Sequence, residues 1–353
     1  MKKYNLITAS LLTLGLTACG AQNTSTTNES TTAQVTSAPG APGAEPFWAY
    51  AGKTGIGTSY EQYQNGQYTD AAATGDVSKV WFSIAKGMIT ETMFGLIHQA
   101  QIKDMQFIVT GKDFTVSEAD DLNVTIDYLH KDAQGRPLSL AYKVTSTDKQ
   151  GRFSIEKHIF TDPDGQTLFV RSVFNTELEG LKAYVSVNPY INNNGLGDFA
   201  KTTEKGLLAW EDDNYLSLQS ASPFKAKTVG FTGKSDGINA LKTTQSLNNQ
   251  YTNTGETAGN VSMLAELGEI SANTTFDLAL SFGKTQQQSI QQGEQSLAKG
   301  YQTVLDHYNG KGEALGWEDY LQSLKPLNTM VEQTADNGKL LYTSATALKA
   351  QED

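Results

Sequence analysis

Residues 77–111 read VSKVWFSIAKGMITETMFGLIHQAQIKDMQFIVTG, and two short apolar runs, residues 80–84 and 105–109, bracket the segment. Both runs are rich in β-branched and aromatic residues and are bounded by polar or glycine-bearing segments, which is typical of β-strands. The residues between the runs are mixed, with glycines at Gly87 and Gly95. The pattern predicts a half-buried β-sheet and indicates no chemistry by itself.

Alternation of apolar and polar residues extends this β pattern through residues 124–174. Residues predicted to share a face in successive runs are Val124, Ile126 and Tyr128; Leu138, Leu140, Tyr142 and Val144; and Leu168, Val170 and Phe174. Residues 132–135, 148–151 and 162–165 each begin with Asp and end with Gly, as in a β-turn whose glycine takes a positive φ. The repeat predicts an antiparallel meander with one face packed and one face solvated.

The β pattern continues to residue 283 and implies more strands than one open sheet holds. Residues 181–187 are predicted to continue the meander, and residues 276–282 to close it. A dozen or more strands favour two packed sheets. We therefore predict a mainly β chain with a large antiparallel β-sandwich over residues 45–283.

A helical period replaces the alternation after residue 283. Apolar residues recur at helical spacing through residues 284–308, and Asn309-Gly310 is a stop signal. A shorter helix is predicted before Pro326, and a third begins near Leu340. We assign residues 284–325 to a helical linker and residues 326–353 to the start of a further domain, and we expect that domain to be cut short at Asp353.

The amino terminus is predicted to be an export signal followed by a tether. Lys2 and Lys3 precede a 13-residue apolar run that is too short to span a bilayer, and Cys19 follows Leu-Thr-Ala. Residues 1–18 therefore match a bacterial lipoprotein signal peptide, with Cys19 as the lipid attachment site on the outer membrane or cell surface; an ordinary secretory signal is the alternative. Residues 19–44 are small and polar and are predicted to be a disordered tether.

Composition excludes several classes of function. The net charge of −11 argues against a nucleic-acid partner, and a single cysteine in 353 residues cannot form an internal disulfide. The four histidines are scattered, so we predict no metal site and no cofactor, although calcium binding stays open. Residues 233–235 and 162–165 are interpreted as turns. The acids of residues 120–121 and 211–213 are interpreted as solvated loop residues, with cation binding as the alternative.

The four tryptophans are the natural candidates for stacking on a sugar ring. Trp81 lies in a predicted strand and Trp317 in a predicted helix, so both are assigned to the core. Trp210 precedes an acidic run and is the candidate glycan contact. Trp48 flanks the tether and receives no assignment.

Four segments, in order, resemble one known domain. They are the Pro/Gly lead at residues 38–43 with KTGIG at 53–57, NPYINNNGLGD at 188–198, GWEDYLQSL at 316–324 and YTSATALKAQED at 342–353. Together with the Val-Trp-Phe run at 80–82, they resemble the amino-terminal domain of prokaryotic glucoamylases and glucodextranases of glycoside hydrolase family 15. The last two segments resemble that family's linker and the first helix of its catalytic domain.

The resemblance implies a supersandwich followed by the first helix of an incomplete (α/α)6 barrel. It also implies an exo-acting, inverting glucan α-glucosidase with α-glucan substrates and two catalytic glutamates in the barrel. Those glutamates lie beyond the matching residues, so no catalytic residue is assigned and we predict that this chain alone is inactive. A stand-alone carbohydrate-binding lipoprotein is the alternative, and a mutarotase-like sandwich is a weaker one.

Overall fold

The computed structural model describes residues 36–61, 63–64, 67–68, 77–120, 122–324 and 327–351. Within these residues, sixteen strands form two eight-stranded antiparallel sheets, and a two-stranded hairpin forms a third, small sheet. The predicted two-sheet β-sandwich is therefore confirmed. Residues 1–18 and Cys19, which carry the predicted signal peptide and lipid site, lie outside the described residues.

The strands alternate with turns through most of the chain. In order they are β1 Lys53–Thr58, β2 Tyr63–Gln64, β3 Gln67–Tyr68, β4 Val80–Ala85, β5 Met88–Phe94, β6 Ile102–Thr110, β7 Thr115–Ser117, β8 Leu122–Tyr128, β9 Tyr142–Asp148, β10 Ser154–Thr161, β11 Thr167–Asn175, β12 Lys182–Pro189, β13 Phe199–Thr202, β14 Gly206–Glu211, β15 Asn214–Ser220, β16 Ala226–Phe231, β17 Val261–Glu269 and β18 Thr274–Gly283.

The first sheet has the order β1-β4-β5-β6-β12-β17-β16, with β7 also paired to β6. The second sheet has the order β13-β14-β15-β18-β11-β10-β9-β8. Helices are few and lie mostly near the carboxyl end of the described chain: α1 Gly237–Thr244, α2 Gln286–Lys299, α3 Tyr301–Asn309, α4 Trp317–Ser323, α5 Leu327–Val331 and α6 Lys339–Lys349.

The main core lies between the two sheets. Aromatic rings meet across it: Phe94 of β5 stacks on Phe282 of β18 with ring centroids 5.5 Å apart, and Phe107 of β6 meets Phe174 of β11 edge to face at 5.6 Å. The inward residues of both sheets belong to one continuous hydrophobic cluster. The area removed from water here is the principal stabilising term of the domain.

The outer face of each sheet is also covered, each by a helix. Leu241 of α1 packs with Ile108, Tyr184 and Leu264 in a second hydrophobic cluster on the outer side of the first sheet. Helix α2 covers β15 and β18 of the second sheet, and a Cβ at Gly293 would lie 2.7 Å from Oγ of Ser281. Only glycine allows the helix to approach the sheet this closely.

The structure corrects the sequence-based expectations for the strands. The sheet around residues 77–111 is not half-buried, since every residue of β4 is buried, and the mixed segment between the two apolar runs is itself strand β5. Residues 181–187 do not continue the meander, because β12 belongs to the other sheet. Leu138 and Leu140 precede β9 rather than lie in it.

The turns and helices also differ in part from the predictions. Gly135 and Gly151 take the predicted positive φ, whereas Gly165 does not. Gly300 divides the predicted helix over residues 284–308 into α2 and α3. Helix α1 has no counterpart in the predictions.

Part of the predicted tether is ordered. Residues 36–44 lie against the domain: the N–H of Ala38 donates to the carbonyl of Asn253 at 2.8 Å, and the N–H of Ala44 donates to the carbonyl of Thr232 at 2.8 Å. The expectation of disorder up to Ala44 is therefore wrong for this segment. The reason is that its backbone polar groups find partners on neighbouring segments of the domain, at Thr232 and Asn253, rather than in water.

The carboxyl-terminal helices are anchored to the first strand. The Tyr308 hydroxyl and the Trp317 indole N–H both donate to the carbonyl of Thr58, at 2.8 and 2.9 Å. Trp317 is fully buried, as predicted, and Ala350 reaches the main core. The described residues from 36 onward form one compact unit.

A buried ion pair joins the two sheets. Lys157 of β10 has a 1% exposed side chain and donates to Glu118, which follows β7 of the first sheet, and to the carbonyl of Gly87. Glu118 also accepts from the N–H of Phe107 at 2.9 Å and from the hydroxyl of Ser146 at 2.9 Å. Burial lowers the pKa of Lys157, and the Glu118 carboxylate opposes that shift.

The turn at residues 162–165 fixes helices α2 and α3 to the second sheet. Asp162 is buried and accepts from the Ser296 hydroxyl at 2.5 Å and from Nζ of Lys299 at 2.9 Å. Asp164 accepts from His307 at 3.0 Å and from Lys299 at 3.1 Å. Asp162 and Asp164 therefore hold α2 and α3 against the second sheet.

We expect Lys157→Met to lower the free energy of unfolding by about 3–5 kcal/mol, because Glu118 then stays buried without its countercharge. Urea unfolding followed by tryptophan fluorescence measures this loss. Lys205→Met is the matched control, since the Lys205–Glu294 pair is exposed and removing it should change stability by about 1 kcal/mol or less. Equal losses in the two variants would contradict the prediction.

Asp164 makes a pH-dependent contribution to the free energy of unfolding. The hydrogen bond from His307, followed by that from Lys299, lowers the pKa of Asp164 to about 2. Its unfolded pKa is about 3.9, so the stabilisation is complete above about pH 4 and is lost as the pH falls through 2. Asp164→Asn should lower the Tm modestly at pH 6, and the difference from wild type should vanish near pH 2. The exposed Asp113→Asn should show no such convergence in the same series of melts.

Candidate functional site

A cavity of 510 Å³ opens beside β1 and β5. Its walls are apolar, and helix α6 contributes Thr343 and Ala347 to one side. The residues at its mouth include Trp48 and His98; its other lining residues include Ile56, Met93, Leu140 and Tyr142. Apolar walls with a few oriented polar groups are the usual form of a small-molecule site.

Glu91 supplies the negative charge in this cavity. It is 6% exposed and lies at an irregularity in the β4–β5 pairing, where its φ of 29° is strained for a non-glycine residue. One carboxylate oxygen accepts from the N–H of Tyr50 at 2.7 Å, and the other accepts from the Ser83 hydroxyl at 3.1 Å and pairs with Lys53 at 3.2 Å. Both oxygens are therefore occupied by the protein.

Tyr50 extends the polar end of the cavity. Its hydroxyl donates to Asp104 at 2.8 Å, and its ring meets that of Phe47 edge to face. Burial, followed by the charge of Asp104, raises the pKa of Tyr50. The hydroxyl therefore stays a neutral donor.

An asparagine-rich loop continues from the cavity mouth. The Trp48 and Tyr190 rings lie 5.5 Å apart, and Asn192 and Asn193 both take left-handed φ values, 57° and 59°. Asn193 accepts from the N–H of Ala100 at 2.8 Å, which ties the loop to the segment that contains His98. The amide side chains thus hold the loop against the cavity.

Two carboxylates lie at the far end of this loop. Asp198 is fully buried, and its Oδ1 accepts from the N–H of Ile191 at 3.2 Å. Oε1 of Glu211 accepts from the Asn194 amide at 2.6 Å. Burial raises the pKa of Asp198 well above its usual range, with a further contribution from the charge of Glu211, and burial also raises the pKa of Glu211.

Trp210, the predicted glycan contact, lies in a row of three rings. Its indole stacks on Phe199 with centroids 5.6 Å apart and on Tyr215 at 6.4 Å, with interplanar angles of 16° and 15°. Nζ of Lys201 lies 5.5 Å from the indole. Phe199, Trp210 and Tyr215 thus form a row of stacked rings along three neighbouring strands, and the glycan contact stays a prediction.

The structure separates the other tryptophans. Trp81 and Trp317 are in the core, as predicted, whereas Trp48 is 53% exposed at the cavity mouth. Of the acids interpreted as solvated, Asp213 fits that interpretation with 72% of its side chain exposed, but the neighbouring Glu211 is partly buried and paired. The sequence analysis interpreted Glu211 and Asp213 as parts of one solvated loop. In the structure, Glu211 ends strand β14 and is paired, whereas Asp213 is exposed.

The described ranges contain no group of three or more His, Cys, Asp or Glu side chains that is able to hold a metal ion. The same ranges include no helix that is both long and apolar enough to cross a membrane.

The sites that sequence reasoning missed are Glu91, Tyr50 and Asp198. A usable signal existed for Asp198, because it ends the asparagine–glycine segment quoted above, whereas Glu91 lay in a segment without a recognisable pattern.

Comparisons with known proteins assign the fold. A family model described as glucodextranase, domain N, matches residues 38–322. A glucoamylase from Clostridium sp. (strain G0005) is 33% identical over 326 residues, which cover 90% of this chain and 41% of that protein. A crystal structure of a bacterial glucoamylase complexed with acarbose matches with a TM-score of 0.75 and 28% identity, over 90% of this chain and 43% of that one.

The sandwich with its trailing helices is thus the amino-terminal type of domain found in glucoamylases. The chain belongs to the glucodextranase domain N family, and the resemblance noted from the sequence is confirmed. The chain spans about two fifths of the length of these relatives.

Proposed function

We propose that this chain is the amino-terminal portion of an exported, lipid-anchored glucan α-glucosidase of the glucoamylase type. That enzyme would release glucose from the ends of α-glucans with inversion. Within it, this chain would support the helical catalytic domain, and the two catalytic glutamates would lie outside residues 1–353. Helix α6 would then be the first helix of that domain.

The observation that carries the proposal is the extent of the match. The family model begins in the ordered lead at residue 38 and runs through both sheets into α4, so the resemblance covers the whole sandwich and the helices α1 to α3. Both relatives described above are glucoamylases and align with 90% of this chain. A shared fold alone would be weaker support, because one fold hosts many functions.

The geometry of the cavity supports a non-catalytic role. An inverting glycosidase needs two carboxyl groups about 6.5–9.5 Å apart, one as acid and one as base. Glu91 is the one carboxylate among the cavity-lining residues in the described ranges, and both of its oxygens are occupied. The cavity therefore offers apolar and aromatic surface without the pair that hydrolysis requires.

The purified 353-residue chain should release no glucose from maltoheptaose above the buffer blank. Glucose is measured by a coupled oxidation assay over many hours, with a purified glucoamylase as the positive control. Release at a rate that falls with Glu91→Gln would place a hydrolytic site in this chain and overturn the proposal.

Lipid anchoring is proposed from Cys19 and the segment before it. When the chain is expressed in a bacterial host, it should be recovered in the membrane fraction, and Cys19→Ala should move it to the soluble exported fraction. Cys19→Ser serves as the matched control for side-chain size and should behave like Cys19→Ala. Membrane recovery that is unchanged by both substitutions would exclude the anchor.

A stand-alone carbohydrate-binding lipoprotein is the second candidate, and the row of Phe199, Trp210 and Tyr215 favours it. Aromatic rings supply sugar-binding surface without catalytic groups. Retention of the 353-residue chain on insoluble α-glucan, lost in Trp210→Ala and kept in Trp48→Ala, would support this candidate.

A further inference from the structure

Asp198 immediately precedes β13, and Glu211 ends the neighbouring strand β14. Phe199 of β13 is paired with Trp210 of β14, so one step along the same register places Asp198 opposite Glu211. Glu211 is in turn paired with Asn214 of β15. Residues that are directly opposite in an antiparallel pair point to the same face with their Cβ atoms about 4.5–5.5 Å apart. Two carboxylates therefore converge at one end of the sandwich.

Each carboxylate has one oxygen without a partner. Oδ2 of Asp198 and Oε2 of Glu211 are both buried and have no hydrogen-bond partner among the described residues. The ion pairs found in those residues include neither side chain. Lys284 pairs with Asp213 and donates to Asn214. Like charges placed directly opposite each other destabilise a sheet.

The surrounding backbone keeps this arrangement in place. A Cβ at Gly197 would lie 1.7 Å from Oε1 of Glu211, so a larger residue at this position would require the carboxylate to move. The second oxygen of each acid is already held, by the N–H of Ile191 and by the Asn194 amide. One oxygen of each acid is therefore held by the protein, and the other oxygen of each is left without a partner.

We propose that Asp198 and Glu211 bind one divalent cation of the calcium type. Calcium takes oxygen ligands only, from carboxylates, carbonyls and water. The two free carboxylate oxygens would supply two ligands and the negative charge, and carbonyl groups and water would complete the set. A zinc-type site is not implied, because no third ionisable ligand joins these two among the described residues.

A proton is the competing occupant of the pair. A protonated Asp198 would remove the repulsion and would offer its Oδ2–H to the free Oε2 of Glu211. One proton leaves the pair with a net charge of −1, whereas one divalent cation neutralises both carboxylates. A cation satisfies both free oxygens at once.

The test uses the 353-residue chain, stripped with EDTA and titrated with CaCl2 by calorimetry, with thermal melts in EDTA, CaCl2 and MgCl2. We expect a Kd of about 10⁻⁴–10⁻³ M for Ca²⁺ and a Tm raised by roughly 2 °C or more near saturation. Asp198→Asn and Glu211→Gln keep the neighbouring hydrogen bonds and should each weaken Ca²⁺ binding at least about tenfold. Asp213→Asn, in the same turn but exposed, should leave the affinity unchanged.

The variants also separate the proposal from its alternatives. In EDTA, Asp198→Asn should be at least as stable as wild type, because it removes one of two opposed charges. Wild-type protein that shows no Ca²⁺ heat and no Ca²⁺-dependent Tm would overturn the proposal, and a stabilised Asp198→Asn would then indicate a pair held by a proton or water. Ca²⁺ binding of equal strength in Asp198→Asn and Glu211→Gln would also overturn it.

Discussion

The contact between Lys157 and Glu118 constrains how the two sheets meet. A lysine on the inward face of a strand is tolerated only where a carboxylate meets it, because an isolated buried charge is far too costly. Glu118 fulfils this role from the first sheet while it also receives the N–H of Phe107 and the Ser146 hydroxyl. A slip of either sheet would separate the charges. The main effect of the Lys157–Glu118 pair is therefore to favour one alignment of the two sheets over other alignments. Its net contribution to the free energy of unfolding is the smaller effect.

The second constraint is that both sheets are covered on both sides over much of their area. A sandwich buries one face of each sheet, and here α1 and α2 also cover outer faces. The small residues Ser289, Gly293 and Ser296 let α2 lie close to the second sheet. Through Tyr308 and Trp317, the following helices return to the carbonyl of Thr58 at the end of β1. The helices are thus packed onto the sandwich.

The sequence predicted the meander of β8 to β11 because its alternation and its Asp-x-x-Gly turns are local features. It did not reveal that β12 changes sheets, because sheet membership is decided by long-range packing. Lys157 between the inward Ile155 and Ile159 was a visible break in the alternation, but its partner lies 39 positions away. The asparagine–glycine segment was recognised by resemblance, whereas the placement of Asp198 beside Glu211 follows from the register in which β13 pairs with β14.

Local irregularities gather at one end of the sandwich. Glu91 in a strained strand position, the left-handed Asn192 and Asn193, and the opposed Asp198 and Glu211 are linked by contacts that run from Trp48 through Tyr190. Strained backbone and unpaired buried charge both cost folding free energy, and proteins keep such features where a site requires them. By contrast, the left-handed Gln245 ends helix α1, where such a backbone is ordinary. The end that carries the cavity is therefore where the interactions of this domain with ligands or neighbouring domains are to be sought.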